Sequence, residues 1–123
     1  MNIKKLKEAV DKLKEDMGDG LIATDVFSTA DGQSIYGINS QPRACALFNQ
    51  VTDYLVDALQ GSGFPALASH YYLDLEGGVA VIVAPMGAFR VGMLIDSKKV
   101  QQGLLLNVVL PDVLSGLKAA LGA

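Results

Sequence analysis

Residues 79–84 read Val79-Ala80-Val81-Ile82-Val83-Ala84, an unbroken apolar run between the turn signals Glu76-Gly77-Gly78 and Met86-Gly87. In an extended chain successive side chains point to opposite faces, so a strand without a polar residue at either parity needs cover on both sides. It suits a central strand between layers of helices and not a sheet with one wet face. The flanking segments agree. Leu67–Leu75 and Phe89–Asp96 have strand composition, and the glycine-bearing turns that join them to the central run make a three-stranded meander.

Toward the N-terminus, Gly61-Ser62-Gly63 and Pro65 stop a helix that reaches about Gln60. Asn39-Ser40 offers that helix a cap, and Pro42 sits in its first turn, where a missing N–H costs little. Before it, Leu21–Thr29 and Gln33–Ile38 read as a hairpin turning at Asp31-Gly32. Asn2–Met17 places Ile3, Leu6, Val10, Leu13 and Met17 at alternating steps of three and four, an amphipathic helix closed by Gly18-Asp19-Gly20. Lys4 with Glu8, Lys7 with Asp11 and Glu8 with Lys12 are spaced to support it weakly from the solvent side. Toward the C-terminus, Ser97 is a candidate cap for a helix running to Leu121, which Pro111 should kink or split. The order is α-ββ-α-βββ-α, an α/β chain of the α+β kind, read as one domain over residues 1–123 with helices on both faces of its sheet.

Composition narrows the function. A chain of 123 residues buries a core without disulfides or metals. The net charge of −3, with lysines interleaved among acids along the first helix, argues against a nucleic-acid ligand. The opening segment lacks the apolar stretch of a signal peptide, and no later window holds the roughly 18 apolar residues of a membrane span. A cytoplasmic location is expected. Cys45 is the only cysteine, so no intrachain disulfide forms, and it reads as a small buried hydrophobe on a helix. His70 is the only histidine and has no cysteine or second histidine with which to make a metal site. Ser28, Ser34 and Ser69 lack nucleophile-elbow glycines, and Gly61-x-Gly63 and Gly77-Gly78 are too short for a phosphate loop. Asp25, Asp31, Asp53, Asp57, Asp74 and Asp96 are scattered over separate elements and read as turn, edge and solvated residues. No catalytic residue, cofactor or metal is expected, and the chain reads as no enzyme.

Apolar surface is what the sequence has in excess: half its residues are hydrophobic and its mean hydropathy is +0.33. In the second helix Ala44, Leu47, Phe48, Val51, Leu55, Ala58 and Leu59 form a stripe, with Tyr54 on one flank and Cys45, Thr52 and Val56 on the other. This arc covers roughly 200°, about twice what packing on a sheet requires. The surplus calls for a partner, a second copy of the chain ahead of a neighbouring loop of the same chain. Candidate interface residues are Cys45, Thr52 and Val56 on the helix, with Ser69, Tyr71 and Leu73 on the outer strand of the meander, whose unpaired edge invites another strand. Tyr71 and Tyr72 point to opposite faces. Asn49, Gln50, Asp53, Asp57 and Gln60 occupy the remaining side of the helix. The last helix is apolar nearly all round from Val100 through Leu104, Leu105, Leu106, Val108, Val109 and Leu110, so it is either deeply buried or docked.

Four pieces of this pattern resemble the roadblock / dynein light chain family: the first strand leading into Asp31-Gly32, the small-residue and leucine-rich second helix, the Val79–Ala84 strand, and Gly103-Leu104-Leu105 opening the last helix. The resemblance runs from about Gly20 to Leu121. It implies a profilin-like, five-stranded antiparallel sheet, with the second helix on one face and the first and last on the other. It also implies a homodimer that pairs third strands and second helices, with no catalysis and no cofactor. Members of the family regulate or scaffold small Ras-like GTPases, and bacterial homodimers of this kind act as activating partners of a polarity GTPase; others anchor motor or signalling assemblies. By position, Arg43, Gln50, Asp53 and Asp57 would lie on the exposed part of the platform for such a partner. Pro111 and the Leu104–Leu110 run depart from the family pattern, through either an extra oligomeric contact or a deeper local core. Two alternatives to GTPase regulation stay open: a self-assembling scaffold with no nucleotide-linked partner, and a small-ligand sensor with a pocket between sheet and helix.

Overall fold

The computed structural model describes residues 1–122. The first helix, α1 (Ile3–Met17), is capped by Asn2, whose Oδ1 accepts the Lys5 N–H at 3.0 Å. Its buried row Leu6, Val10, Leu13 and Met17 follows the three-four spacing of the sequence. A short 3₁₀ turn, Gly18–Gly20, leads into β1 (Leu21–Ser28) and β2 (Ser34–Ile38). The second helix is α2 (Pro42–Gly61), and the meander is β3 (Tyr71–Leu75), β4 (Val79–Met86) and β5 (Phe89–Asp96). The last helix, α3 (Gln102–Leu121), widens into a π-turn at Leu105–Val109.

All pairings are antiparallel, and the strand order β2-β1-β5-β4-β3 leaves β2 and β3 at the edges. The apolar run of β4 is sandwiched as its sequence requires. Ala80, Ile82 and Ala84 join Val91, Met93 and Ile95 of β5 under α1 and α3. Val81 and Val83 point to the other face, with Phe27 and Cys45, under α2. Tyr71 and Tyr72 divide between the same two faces. The chain start is tied to α3 by a hydrogen bond from the Asn2 N–H to the Ala120 carbonyl, 2.8 Å. Lys12, in place of the pairs expected along α1, reaches Asp16 at 2.9 Å and Asp112 of α3 at 3.0 Å. Hydrogen bonds to the Asp16 and Asp112 carboxylates hold its ammonium above the usual lysine range.

Several boundaries differ from the sequence reading, each for a local reason. The outer strand begins at Tyr71, so Ser69 and His70 lie outside it. In the register Tyr71↔Val83, continuing the ladder would set Ser69 opposite Pro85, which has no N–H to donate. The α2 cap comes from neither Asn39 nor Ser40. Asp25 of β1 reaches across: its Oδ2 accepts the Gln41 N–H at 2.8 Å, and its Oδ1 accepts the Ser40 and Ser34 hydroxyls at 2.6 and 2.7 Å. Asp25 is therefore a buried structural group and not a solvated one. Ser97 lies in the turn after β5, and α3 starts after Gln101 without a side-chain cap. Pro111 neither splits nor breaks α3. In an α turn its ring would meet the carbonyl four residues back; here the turn before it widens, and the Leu110 N–H bonds the Leu105 carbonyl five back. Among the described residues α3 is the one helix long and apolar enough to cross a membrane by length and composition. In this fold Leu105, Leu110, Val113, Leu117, Ala120 and Leu121 bury one side of it in the core.

Candidate partner-binding surface

α2 packs on the sheet and is held by two polar clamps. At its N-terminus the Asp25 carboxylate accepts the Gln41 N–H and faces the positive end of the helix dipole, which favours a negative charge there. In its middle, Arg90 of β5, only 6% exposed, donates from Nη1 to the Asn49 carbonyl at 2.7 Å and to Asn49 Oδ1 at 2.9 Å. Its Nη2 pairs with Asp53 Oδ1 at 2.7 Å. Asn49 closes the network by donating to the Thr29 carbonyl at 3.0 Å. Three hydrogen bonds, one of them to a carboxylate, make the buried guanidinium tolerable.

Between the clamps, Thr52 donates its hydroxyl to the Phe48 carbonyl at 2.6 Å and therefore accepts the Tyr71 hydroxyl at 2.7 Å. Burial raises the Tyr71 phenol above its ordinary range, against the opposing pull of Thr52 and the Arg90 charge. Cys45 packs beside Asp25. Burial, with the neighbouring carboxylate adding to it, pushes its thiol up to about 12, so it is an inert neutral group at physiological pH. Ala44, Cys45 and Phe48 roof an apolar cavity of about 50 Å³ over Phe27, Val81 and Leu94.

This geometry redistributes the residues singled out in the sequence. Cys45 and Thr52 lie on the sheet side of α2, fully enclosed, and have no surface left for another chain. The flanks of the apolar arc are thus assigned the other way round: the enclosed flank carries Cys45, Asn49 and Thr52, and the bare one carries Leu47 and Tyr54, which are 53% and 77% exposed. Asn49 is polar yet enclosed because Arg90 satisfies it, and this inverts the side that hydrophobicity selects. Val56 stays on the rim, near exposed Phe64. Tyr71 and Leu73 are half-buried on the α2 face of the β3 edge, while exposed Ser69 hydrogen-bonds His70 Nδ1 at 2.7 Å. Arg43, Gln50, Asp53 and Asp57 form one exposed row along α2 beside Leu47 and Tyr54, with Asp53 already engaged by Arg90. Across the sheet the register aligns Leu73, Val81, Leu94 and Ala23 on the α2 face, and Leu73 and Leu94 are not closed over. Bare apolar helix, half-covered leucines and an unpaired strand edge thus share one side of the molecule. Among the described residues no cluster of side chains could hold a metal ion.

No protein-family model and no curated protein matches the sequence. Solved structures do match the fold. Myxococcus xanthus MglB superposes with a TM-score of 0.81 at 11% identity, covering 97% of this chain and 89% of that one. A Roadblock/LC7 domain from Streptomyces avermitilis gives 0.68 at 12% identity over 94% and 97% of the two chains. Schizosaccharomyces pombe profilin gives 0.65 at 11% identity over 96% and 99%. The chain has the roadblock fold, which shares its layering with profilin.

Proposed function

We propose that the chain is a non-catalytic binding module that forms a homodimer through α2 and the β3 edge, and that the dimer regulates or scaffolds a small Ras-like GTPase. The observation that carries this reading is the bare apolar sector of α2, Leu47 and Tyr54 with half-buried Val51, on the same side as the unpaired edge of β3. Apolar side chains this large, grouped and exposed, are favoured where another protein covers them. The likeness of the fold to MglB supports a GTPase as the further partner. The row Arg43, Gln50, Asp53 and Asp57, polar and adjacent to the apolar sector, has the composition of an interface rim.

Light scattering coupled to size exclusion tests the dimer, on the wild type and on Tyr54→Glu and Leu47→Glu. A wild-type dimer that becomes monomeric in both variants supports it; a wild-type monomer removes it. Binding to the small Ras-like GTPases of the same genome, loaded with GDP or a non-hydrolysable GTP analogue, tests the partner. Binding in one nucleotide state supports regulation. Binding in neither leaves a scaffold dimer and sinks the GTPase reading.

A further inference from the structure

On the α1/α3 face of the sheet, a half-open groove of about 630 Å³ runs between α3, the Ala68–His70 segment and the β4–β5 turn. Two prolines shape it. Pro85 denies Ser69 a ladder hydrogen bond, so the chain leaves the sheet edge there; Pro111 forces the wide turn in α3. The floor is Met86, Leu106, Leu110 and Leu114, with the rings of Pro85 and Pro111 beside them. The polar rim is Ser69, His70, Ser115 and Lys118.

In a chain with 13 acidic and 10 basic residues, no carboxylate lines this groove. Lys118 makes no ion pair among the described residues, whereas Lys12 and Arg90 each hold aspartates. The arrangement is an apolar trough whose rim carries an ammonium with no ion pair among the described residues, the Ser115 hydroxyl, and Ser69 hydrogen-bonded to the His70 imidazole. Its volume falls in the roughly 300–1,000 Å³ range of small-molecule sites, which combine apolar walls with a few convergent polar groups.

We propose that this groove binds a small monoanionic amphiphile, with the hydrocarbon body along Leu106, Leu110 and Leu114 and a carboxylate head at Lys118. A single cation with neutral hydroxyl donors matches one negative charge; a phosphate at neutral pH carries more charge than one lysine offsets and is better held by a guanidinium fork. The site lies across the sheet from α2 and does not depend on the dimer, and its Ser69–His70 rim runs into the β3 edge.

Decanoate below its micellar concentration is titrated calorimetrically into the whole chain, with decyltrimethylammonium as the charge-reversed probe. Saturable one-to-one binding of decanoate is expected, with the cation at least about tenfold weaker; Lys118→Gln should cost about tenfold, the scale of one charge-assisted hydrogen bond. Leu114→Trp should abolish binding with the melting temperature unchanged, and if that variant does not fold, Ser115→Glu at the exposed rim should weaken decanoate instead. Equal binding of both probes, or decanoate binding that survives both groove variants, overturns the proposal. So does a change of mass in light scattering on Leu114→Trp, which would mark the groove as a contact between copies, or adsorption to anionic lipid vesicles without saturable decanoate binding.

Discussion

The two faces of the sheet are covered on different principles. Beneath α1 and α3 the core is continuous and apolar, with Leu6, Leu13, Ile82, Leu110 and Leu117 at 1% exposure or less. Beneath α2 the buried apolar residues are few, Ala23, Phe27, Cys45, Val81 and Val83, and the helix is fixed as well by Asp25 and Arg90. Burial of apolar area stabilises without specifying direction, whereas a buried charge with matched partners fixes a position. One face therefore supplies most of the stability, and the other sets the placement of a helix whose outer surface stays free.

Substitutions that treat the two faces alike should have unequal effects. Leu117→Ala, in the closed core, is expected to cost about 3 kcal/mol through lost transfer energy and a cavity. A denaturant midpoint no lower than that of the wild type would break the contrast. Arg90→Met should cost about 2 kcal/mol, because Asn49 Oδ1 loses its donor and the Asn49 carbonyl its side-chain one, while exposed Asp53 returns to water. Crystallography or amide exchange of that variant should find α2 displaced or loosened and α1 unchanged.

A smaller effect, over the first pH unit above 9, comes from Cys45. An unfolded thiol loses its proton near 9.0, the folded one only at about 12, so in this window the unfolded state binds fewer protons. Stability then falls as pH rises, and below the window the thiol contributes no slope. Comparing the pH dependence of the unfolding midpoint for wild type and Cys45→Ala isolates this contribution, which should vanish in the variant. Smallest of all is Tyr54→Glu, expected to shift monomer stability by no more than about 0.5 kcal/mol since the ring is bare. A large loss there, measured where the wild type is monomeric, would mean that the exposed sector supports its own fold.

What was legible in the sequence follows from period and parity. The three-four rhythm of α1, the doubly apolar β4 and the meander turns each rest on local geometry, and the structure has all of them. What was not legible depends on pairings distant in sequence. Asp25 caps a helix from the middle of a strand, and nothing near it in the chain announces that role. Arg90 makes Asn49 an inward residue, so the wheel of α2 points its apolar surplus the wrong way when read alone. The truncated start of β3 could have been anticipated only from register, since Pro85 acts on Ser69 across the ladder. These same long-range contacts position the candidate interface, so the sequence locates the helix that carries it but not the side.

The widened turn in α3 also sets which of its many apolar residues reach the core. Its buried residues step from Leu105 to Leu110 by five, then by three and four through Val113, Leu117 and Ala120. One additional residue accommodated in a turn advances the phase by about 100°. The segment before Pro111 is therefore written in a different angular frame from the segment after it, and its apolar residues surround the helix, with Leu105 buried and Leu104 and Val108 exposed. Deleting a single residue between 105 and 109 would put both halves in one frame and turn Leu105 out of the core, so the spacing, more than the identity, of these apolar residues is what the fold requires.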